Sequence, residues 1–106
     1  MIDLALVMAG VVTQYPSPQH RGWDIACVTG RPVYAYHAGV VGTYTSPLLG
    51  NVVTIQSDDQ LSLYAHLDQV TIQQDQRIER GHQLGTCGNT GSWSTGPHLH
   101  FELNTI

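Results

Sequence analysis

The chain has 106 residues, with eight acidic side chains, four basic ones and a formal net charge of −4 at pH 7. This length is enough for one domain whose core folds without a disulfide framework, and we expect a single domain over residues 1–106. The basic residues are all arginines and form no patch, which argues against nucleic acid or an anionic membrane as a partner. Histidine is frequent by comparison, with six residues, and this indicates metal binding or acid–base chemistry.

The first twelve residues are apolar from Leu4 onward, but they include Asp3 and no Lys or Arg. A signal peptide needs a positively charged start, and a membrane span needs about 20 apolar residues. We therefore predict a first strand or a short helix packed on the core, with no signal peptide in this chain and no membrane insertion. An exported role would then need another route, such as a lysis system or a virus particle.

The remainder is typical of an all-β domain, because glycines and prolines separate short stretches rich in Val, Ile, Tyr and Thr. The predicted strands are Trp23–Cys27, Val33–Tyr44, Asn51–Gln56, Leu61–His66, Val70–Gln73, Gln83–Cys87 and His98–Leu103. Residues 57–60, Ser-Asp-Asp-Gln, predict a hairpin turn, since Asp favours the backbone angles of turns. A long glycine-rich loop over residues 88–96 leads into the last strand.

The two cysteines, Cys27 and Cys87, lack the CxxC spacing of a zinc knuckle or a thioredoxin-type motif. We interpret them as two buried thiols, with a disulfide as the alternative.

The most informative motif is the His-x-His pair in the last predicted strand. Alternate residues of a strand face the same side, so His98 and His100 project from one face. Two imidazoles on one face fill a core poorly. They are well suited to hold a metal, or to hold a metal with one ring and transfer a proton with the other.

Further candidates lie upstream. His20 and Asp24 are four residues apart, and Gly22 between them allows the backbone to turn so that both side chains can converge. With His100 they would give three protein ligands without sulfur and leave a fourth position for water, the pattern of a catalytic zinc site. His66 and His98 would then be available for proton transfer.

Taken singly, these residues have simpler interpretations. His20 with Asp24 is also compatible with a surface ion pair, and His66 with a buried histidine that bonds to the backbone. His37 and His82 are interpreted as structural or solvent-facing.

Three motifs together resemble a known family. They are His-x-x-x-Asp from His20, Tyr-x-His-Leu over residues 64–67, and Gly-Asn-Thr-Gly…Ser-Thr-Gly-Pro-His-Leu-His-Phe-Glu over residues 88–102. The sequence resembles the lysostaphin/LytM-type zinc endopeptidases, peptidase family M23, from about Val12 to Leu103. The resemblance implies an antiparallel, two-sheet β fold with the metal in a groove.

The resemblance also implies roles for the candidate residues. Those matching His20, Asp24 and His100 bind one zinc ion, and those matching His66 and His98 are the catalytic histidines. Tyr15 is matched to a tyrosine that stabilises the transition state. Gly50-Asn51 is interpreted as a turn, with a substrate contact as the alternative, and Trp93 is a candidate for the groove rim.

The function implied is hydrolysis of peptide bonds in bacterial peptidoglycan, by a water that the metal activates. The enzyme would act at the bacterial cell wall, outside the cell, in the periplasm or on a phage particle. The alternative is an inactive relative that binds cell wall or a partner without cutting it.

Overall fold

The structure is a computed structural model that describes residues 2–106, which contain one 3₁₀ helix and nine strands. In chain order the elements are the 3₁₀ helix Leu4–Leu6 and the strands β1 (Val11–Gln14), β2 (Trp23–Ala26), β3 (Pro32–Tyr34), β4 (Gly39–Ser46), β5 (Gly50–Gln56), β6 (Gln60–Val70), β7 (Arg77–Ile78), β8 (Gln83–Cys87) and β9 (His98–Thr105). Within this described part, no helix has the length and apolar character needed to cross a membrane.

All the strands are antiparallel and join in one hydrogen-bonded network that branches at β6. The larger sheet has the order β1-β2-β9-β6-β5-β4-β7. The smaller one consists of β3, β8 and the second part of β6. This confirms the expected all-β, antiparallel, two-sheet fold.

The branch in β6 lies at His66. Residues 60–65 pair with β9, whereas Leu67 and Val70 pair with β8. His66 has a φ of +63°, a left-handed conformation that is uncommon for a residue other than glycine. The strand therefore changes partner at a histidine, and this histidine lies where both sheets meet.

The core contains the large buried apolar side chains of both sheets, and one polar chain runs through it. The backbone N–H of Tyr36 donates to the Tyr64 hydroxyl (2.9 Å), which is 2.9 Å from Ser62 Oγ. Ser62 Oγ is in turn 2.9 Å from His37 Nε2, and His37 Nδ1–H donates to Ala38 O (2.7 Å). Each side-chain polar atom in this series of hydrogen bonds has a partner, so His37 is a buried structural residue.

The division of the chain into strands differs from the prediction in three places. The predicted strand Val33–Tyr44 is two strands, because the chain bends at residues 35–38 where the His37 ring enters the buried polar chain. The predictions Leu61–His66 and Val70–Gln73 merge into the single strand β6, which ends at Val70. The two-residue strand β7 was not predicted, since so short a segment has no alternating pattern to recognise.

The start of the chain contains both of the predicted alternatives, a short 3₁₀ helix and then β1. Val7 and Met8 between them are buried in the core. The predicted turn at residues 57–60 is confirmed, since Ser57 N–H donates to Gln60 O (2.9 Å) between β5 and β6.

The two cysteines form a disulfide, so the interpretation as two buried thiols is wrong. Cys27 follows β2 and Cys87 ends β8, and their Cα atoms are 6.6 Å apart. The backbone N–H of Cys27 also donates to Pro97 O (3.3 Å). The disulfide therefore holds the beginning of the glycine-rich loop next to the point where the loop ends, a contact that sequence spacing cannot indicate.

We expect the double substitution Cys27→Ser/Cys87→Ser to lower the free energy of unfolding by about 4 kcal/mol, since the disulfide closes a loop across a sequence separation of 60. Urea denaturation of both proteins measures this difference. The wild-type protein under reducing conditions is the control and should unfold at the same urea concentration as the double variant. Equal stability of the oxidised wild type and the double variant would contradict the prediction.

Candidate metal centre and its groove

A groove with a volume of about 640 Å³ lies over β2, β6 and β9 and is lined by the five residues that the sequence predicts as metal ligands or proton-transfer groups. The candidates are His20, Asp24, His66, His98 and His100. Residues from other elements complete the walls, among them Gln14, Arg21, Tyr44, Trp93 and Glu102.

The approach of His20 to Asp24 depends on Gly22. This glycine has a φ of +76°, and a Cβ there would lie 2.2 Å from Phe101 O, so no side chain fits. The Nδ1–H of His20 donates to Gly22 O (3.1 Å), because a carbonyl can only accept. The opposite ring atom, Nε2, is thereby directed at Asp24 and lies 3.1 Å from its Oδ2.

His100 reaches Asp24 across the β2–β9 ladder, in which the two residues are direct partners. Its Nδ1 is 2.8 Å from Asp24 Oδ1, and its Nε2 is 2.9 Å from Glu102 Oε2. Burial lowers the pKa of His100, but the hydrogen bonds to both carboxylates outweigh it and raise that pKa to about 9. Burial raises the pKa of Asp24, but the hydrogen bond from His100 and the nearby histidines hold it below its usual value.

Three side chains could hold a metal ion together. Ligand atoms of His20, Asp24 and His100 all lie within 4.8 Å of one another, and within the described part of the chain no other group of His, Cys, Asp and Glu does so. Donors at 2.0–2.2 Å from a tetrahedral zinc ion lie about 3.4 Å apart, so this spacing fits zinc with little movement. Two imidazoles and a carboxylate are also the donor types found in catalytic zinc sites.

His66 and His98 lie together beside these three residues, with ring centroids 4.7 Å apart. The Nδ1–H of His66 donates to Thr90 O (2.6 Å), and that of His98 donates to Gly96 O (2.8 Å). Both carbonyls belong to the glycine-rich loop. Each ring therefore keeps the proton on Nδ1 and has a free Nε2; that of His98 is 3.7 Å from Asp24 Oδ1.

Burial lowers the pKa of His66, since desolvation disfavours the charged imidazolium. Its Nε2 is therefore an unprotonated nitrogen at neutral pH. This arrangement can accept a proton from a group bound in the groove.

Sequence reasoning missed two contributors to the site. Glu102 lies two residues after His100 on β9, so the alternation of a strand could have placed both on one face. Thr90 acts through its backbone carbonyl, for which the sequence carries no signal.

Of the three remaining candidates, Tyr15, Asn51 and Trp93, only Trp93 lines the groove. Tyr15 is 65% exposed and is not among the described residues that line the groove, although its neighbour Gln14 is. Gly50 and Asn51 begin strand β5, so their interpretation as a turn is wrong. The side-chain Nδ2–H of Asn51 donates to Leu67 O (3.0 Å). Trp93 lies at the groove and is 64% exposed.

Residues 18–105 match the sequence model of peptidase family M23. Because this match covers nearly all of the chain, the chain belongs to peptidase family M23, which confirms the resemblance drawn from the three motifs.

Several relatives and structures are similar to this chain. Peptidoglycan DD-endopeptidase ShyA of Vibrio cholerae serotype O1 is 43% identical over 94 residues, which cover 87% of this chain and 21% of ShyA. Murein hydrolase activator NlpD of Escherichia coli (strain K12) is 38% identical over 88 residues, covering 79% of this chain and 22% of NlpD. The crystal structure of a zinc containing peptidase from Vibrio cholerae matches with a TM-score of 0.84 at 30% identity, over 98% of this chain and 35% of the other. The chain thus spans about a fifth of the length of the two named relatives.

Proposed function

We propose that this chain is a single zinc metalloendopeptidase domain that hydrolyses peptide bonds in bacterial peptidoglycan. One observation carries the proposal: His20, Asp24 and His100 converge within 4.8 Å, beside two histidines whose free Nε2 atoms face the same groove. Three ligands without sulfur next to proton-transfer groups are typical of a hydrolytic site rather than a structural metal site. The zinc containing peptidase of similar fold supports the choice of metal.

In this proposal, Nε2 of His20, a carboxylate oxygen of Asp24 and Nδ1 of His100 would hold the zinc ion. The ion would supply Lewis-acid chemistry, which lowers the pKa of water far below its ordinary value. The protein contributes the orientation of the ligands. Glu102 accepts the Nε2–H of His100 (2.9 Å), which keeps the lone pair of that ring on Nδ1, the atom that faces Asp24.

The two remaining histidines transfer protons. His66 accepts the proton of the attacking water at Nε2, because its lowered pKa keeps that nitrogen unprotonated at neutral pH. His98 Nε2 lies 3.7 Å from Asp24 Oδ1. Because this nitrogen is unprotonated, it accepts a hydrogen bond from the hydroxyl that the attacking water leaves on the tetrahedral intermediate, takes that second proton of the water and delivers it to the leaving amine.

Peptidoglycan is the proposed substrate because ShyA, a peptidoglycan DD-endopeptidase, is 43% identical to this chain. The groove is open to solvent and has the exposed side chains of Tyr44 and Trp93 on its walls, which suits an extended peptide. The Cys27–Cys87 disulfide suits an oxidising compartment. We therefore place the activity at the cell wall, in the periplasm, outside the cell or within a phage particle or lysis system.

A second candidate function is suggested by NlpD, a murein hydrolase activator that is 38% identical to this chain. In that case the same groove would bind cell wall or a partner protein without cutting a bond. The two functions differ in whether the protein itself breaks covalent bonds in the wall and whether a metal chelator stops it from doing so.

We expect the purified protein to release soluble peptide fragments from isolated bacterial cell walls and to lose this activity in the presence of a zinc chelator. Mass spectrometry of the fragments identifies the bond that is cut. Zinc added back should restore release. Intact walls after incubation with a zinc-loaded protein would favour the activator function instead.

We expect His100→Ala to lose both zinc and hydrolysis, because it removes a ligand. His98→Ala should keep one zinc ion per chain and lose about 10²- to 10⁴-fold in turnover, the usual contribution of a positioned acid or base. Atomic emission gives the zinc content, and wall clearing gives the rate. His82→Ala, an exposed histidine outside the groove, is the control and should change neither. Clearing by His98→Ala at the normal rate would refute its assigned role.

We expect the rate of hydrolysis per zinc-loaded protein to fall in acid only below pH 6.5. The reason is that His66 must be neutral to accept a proton, and burial shifts its pKa below the usual 6.5. The rate should decrease about tenfold per pH unit below the pKa of His66. Zinc content measured at each pH separates this effect from metal loss. An acid limb centred above pH 7 would contradict the prediction.

A further inference from the structure

The orientation of His66 depends on the position of a loop carbonyl. Within the described residues, the His66 ring makes one hydrogen bond, from its Nδ1–H to Thr90 O (2.6 Å). This bond sets which ring nitrogen carries the proton and the direction in which Nε2 points. Loops move more readily than strands, so something must hold Thr90 in place if the ring is to stay fixed.

The side chain of the same residue supplies that restraint. Thr90 Oγ1 donates to Leu67 O (2.8 Å) and accepts from the backbone N–H of Asn51 (3.1 Å). Leu67 directly follows His66 in β6, and Asn51 lies opposite Leu67 in β5. The Thr90 hydroxyl therefore bonds to the backbone of both strands next to His66. The Thr90 carbonyl accepts the hydrogen bond from His66 Nδ1–H.

The packing around Thr90 leaves little freedom. A Cβ at Gly50 would lie 2.2 Å from Thr90 Oγ1, and a Cβ at Gly91 would lie 2.4 Å from Gly50 N. Both glycines have a positive φ, +70° and +86°, so no other residue fits easily at either position. The loop thus lies directly on the first residues of β5.

Asn51 reinforces the same contact. Its Nδ2 donates to Leu67 O (3.0 Å) and to Asp68 O (3.3 Å). These bonds occupy the place where the β5–β6 ladder is irregular, between the pairs Asn51–Leu67 and Val53–Tyr64. The side chain of Asn51 in β5 thereby gives hydrogen-bond partners to the Leu67 and Asp68 carbonyls, which directly follow the left-handed residue His66.

We infer that Thr90 and Asn51 are positioning residues for His66: their contacts with Leu67, here named the Thr90 cluster, fix the ring's tautomer and the direction of its Nε2. The inference rests on the proposed function for the step that His66 performs. It assigns no contact with substrate or metal to the cluster. Removing the Thr90 hydroxyl should leave the metal ligands untouched and reach the chemistry only through His66.

The test compares Thr90→Val, which loses the hydroxyl at constant shape, with Thr90→Ser, which keeps it. Thr86→Val is the matched control, because Thr86 is also partly buried and its Oγ1 also accepts from a backbone N–H, that of Gln69 (3.1 Å), outside the groove. For each protein kcat, KM and zinc content are measured on soluble wall fragments. The imidazole nitrogen NMR signals of His66 report its tautomer without reference to activity.

We expect Thr90→Val to lower kcat about 10- to 100-fold, as small misplacements of a catalytic group do, with KM and zinc content close to wild type. The His66 signals should change from the Nδ1–H tautomer to a mixture. Thr90→Ser should restore both properties, and Thr86→Val should alter neither. An unchanged tautomer in Thr90→Val, or an equal loss of kcat in Thr86→Val, would overturn the inference.

His66→Ala separates this inference from the proposed function. If His66→Ala hydrolyses walls normally, the proton-transfer role assigned to His66 fails. The tautomer measured in Thr90→Val then still decides whether the cluster orients the ring, and an unchanged tautomer overturns the cluster's role by itself.

Discussion

The register between β2 and β9 determines the geometry on which the site depends. In this ladder Asp24 lies opposite His100 and Ala26 opposite His98, and Asp24, His98 and His100 line the groove. The alternate pairs, Trp23 with Phe101 and Ile25 with Leu99, face the core, where Phe101, Ile25 and Leu99 are buried. A slip of one residue would turn every side chain of a strand to the other face. The buried pairs make such a slip costly, so core packing holds Asp24 and His100, two of the proposed metal ligands, in position.

Backbone carbonyls set the remaining geometry. His20, His66 and His98 each donate Nδ1–H to a carbonyl, of Gly22, Thr90 and Gly96, and each directs Nε2 into the groove. His100 is the exception: its Nε2 bonds to Glu102, which leaves Nδ1 facing Asp24. The tautomer of each ring is thus determined by what the second nitrogen touches. Two of these carbonyls belong to the glycine-rich loop. The Cys27–Cys87 disulfide holds the chain just before this loop, and the Thr90 hydroxyl holds the first part of the loop.

The branch of β6 explains why one loop can contact both His66 and His98, the two histidines proposed to transfer protons. Where β6 leaves β9, β8 takes its place, and the chain that follows β8 is the glycine-rich loop, which returns to β9 at His98. The loop therefore covers the gap between the two sheets, directly above His66. A left-handed residue at this point is unusual in a strand. Its location at His66, a histidine proposed to be catalytic, agrees with the tendency of strained backbone to occur at active sites.

The sequence by itself determined the donor types and their faces. The period of two in a strand placed His98 and His100 on one side, Gly22 allowed His20 to turn toward Asp24, and the spacing of turn residues located most strands. Only the tertiary structure decided which strands pair, that Cys27 and Cys87 bond, that β6 changes partner at His66, and that Thr90 orients that ring. The physical reason is that side-chain identity is local information, whereas register, disulfide pairing and hydrogen bonds to backbone carbonyls arise between segments distant in the chain, and every residue carries the same carbonyl.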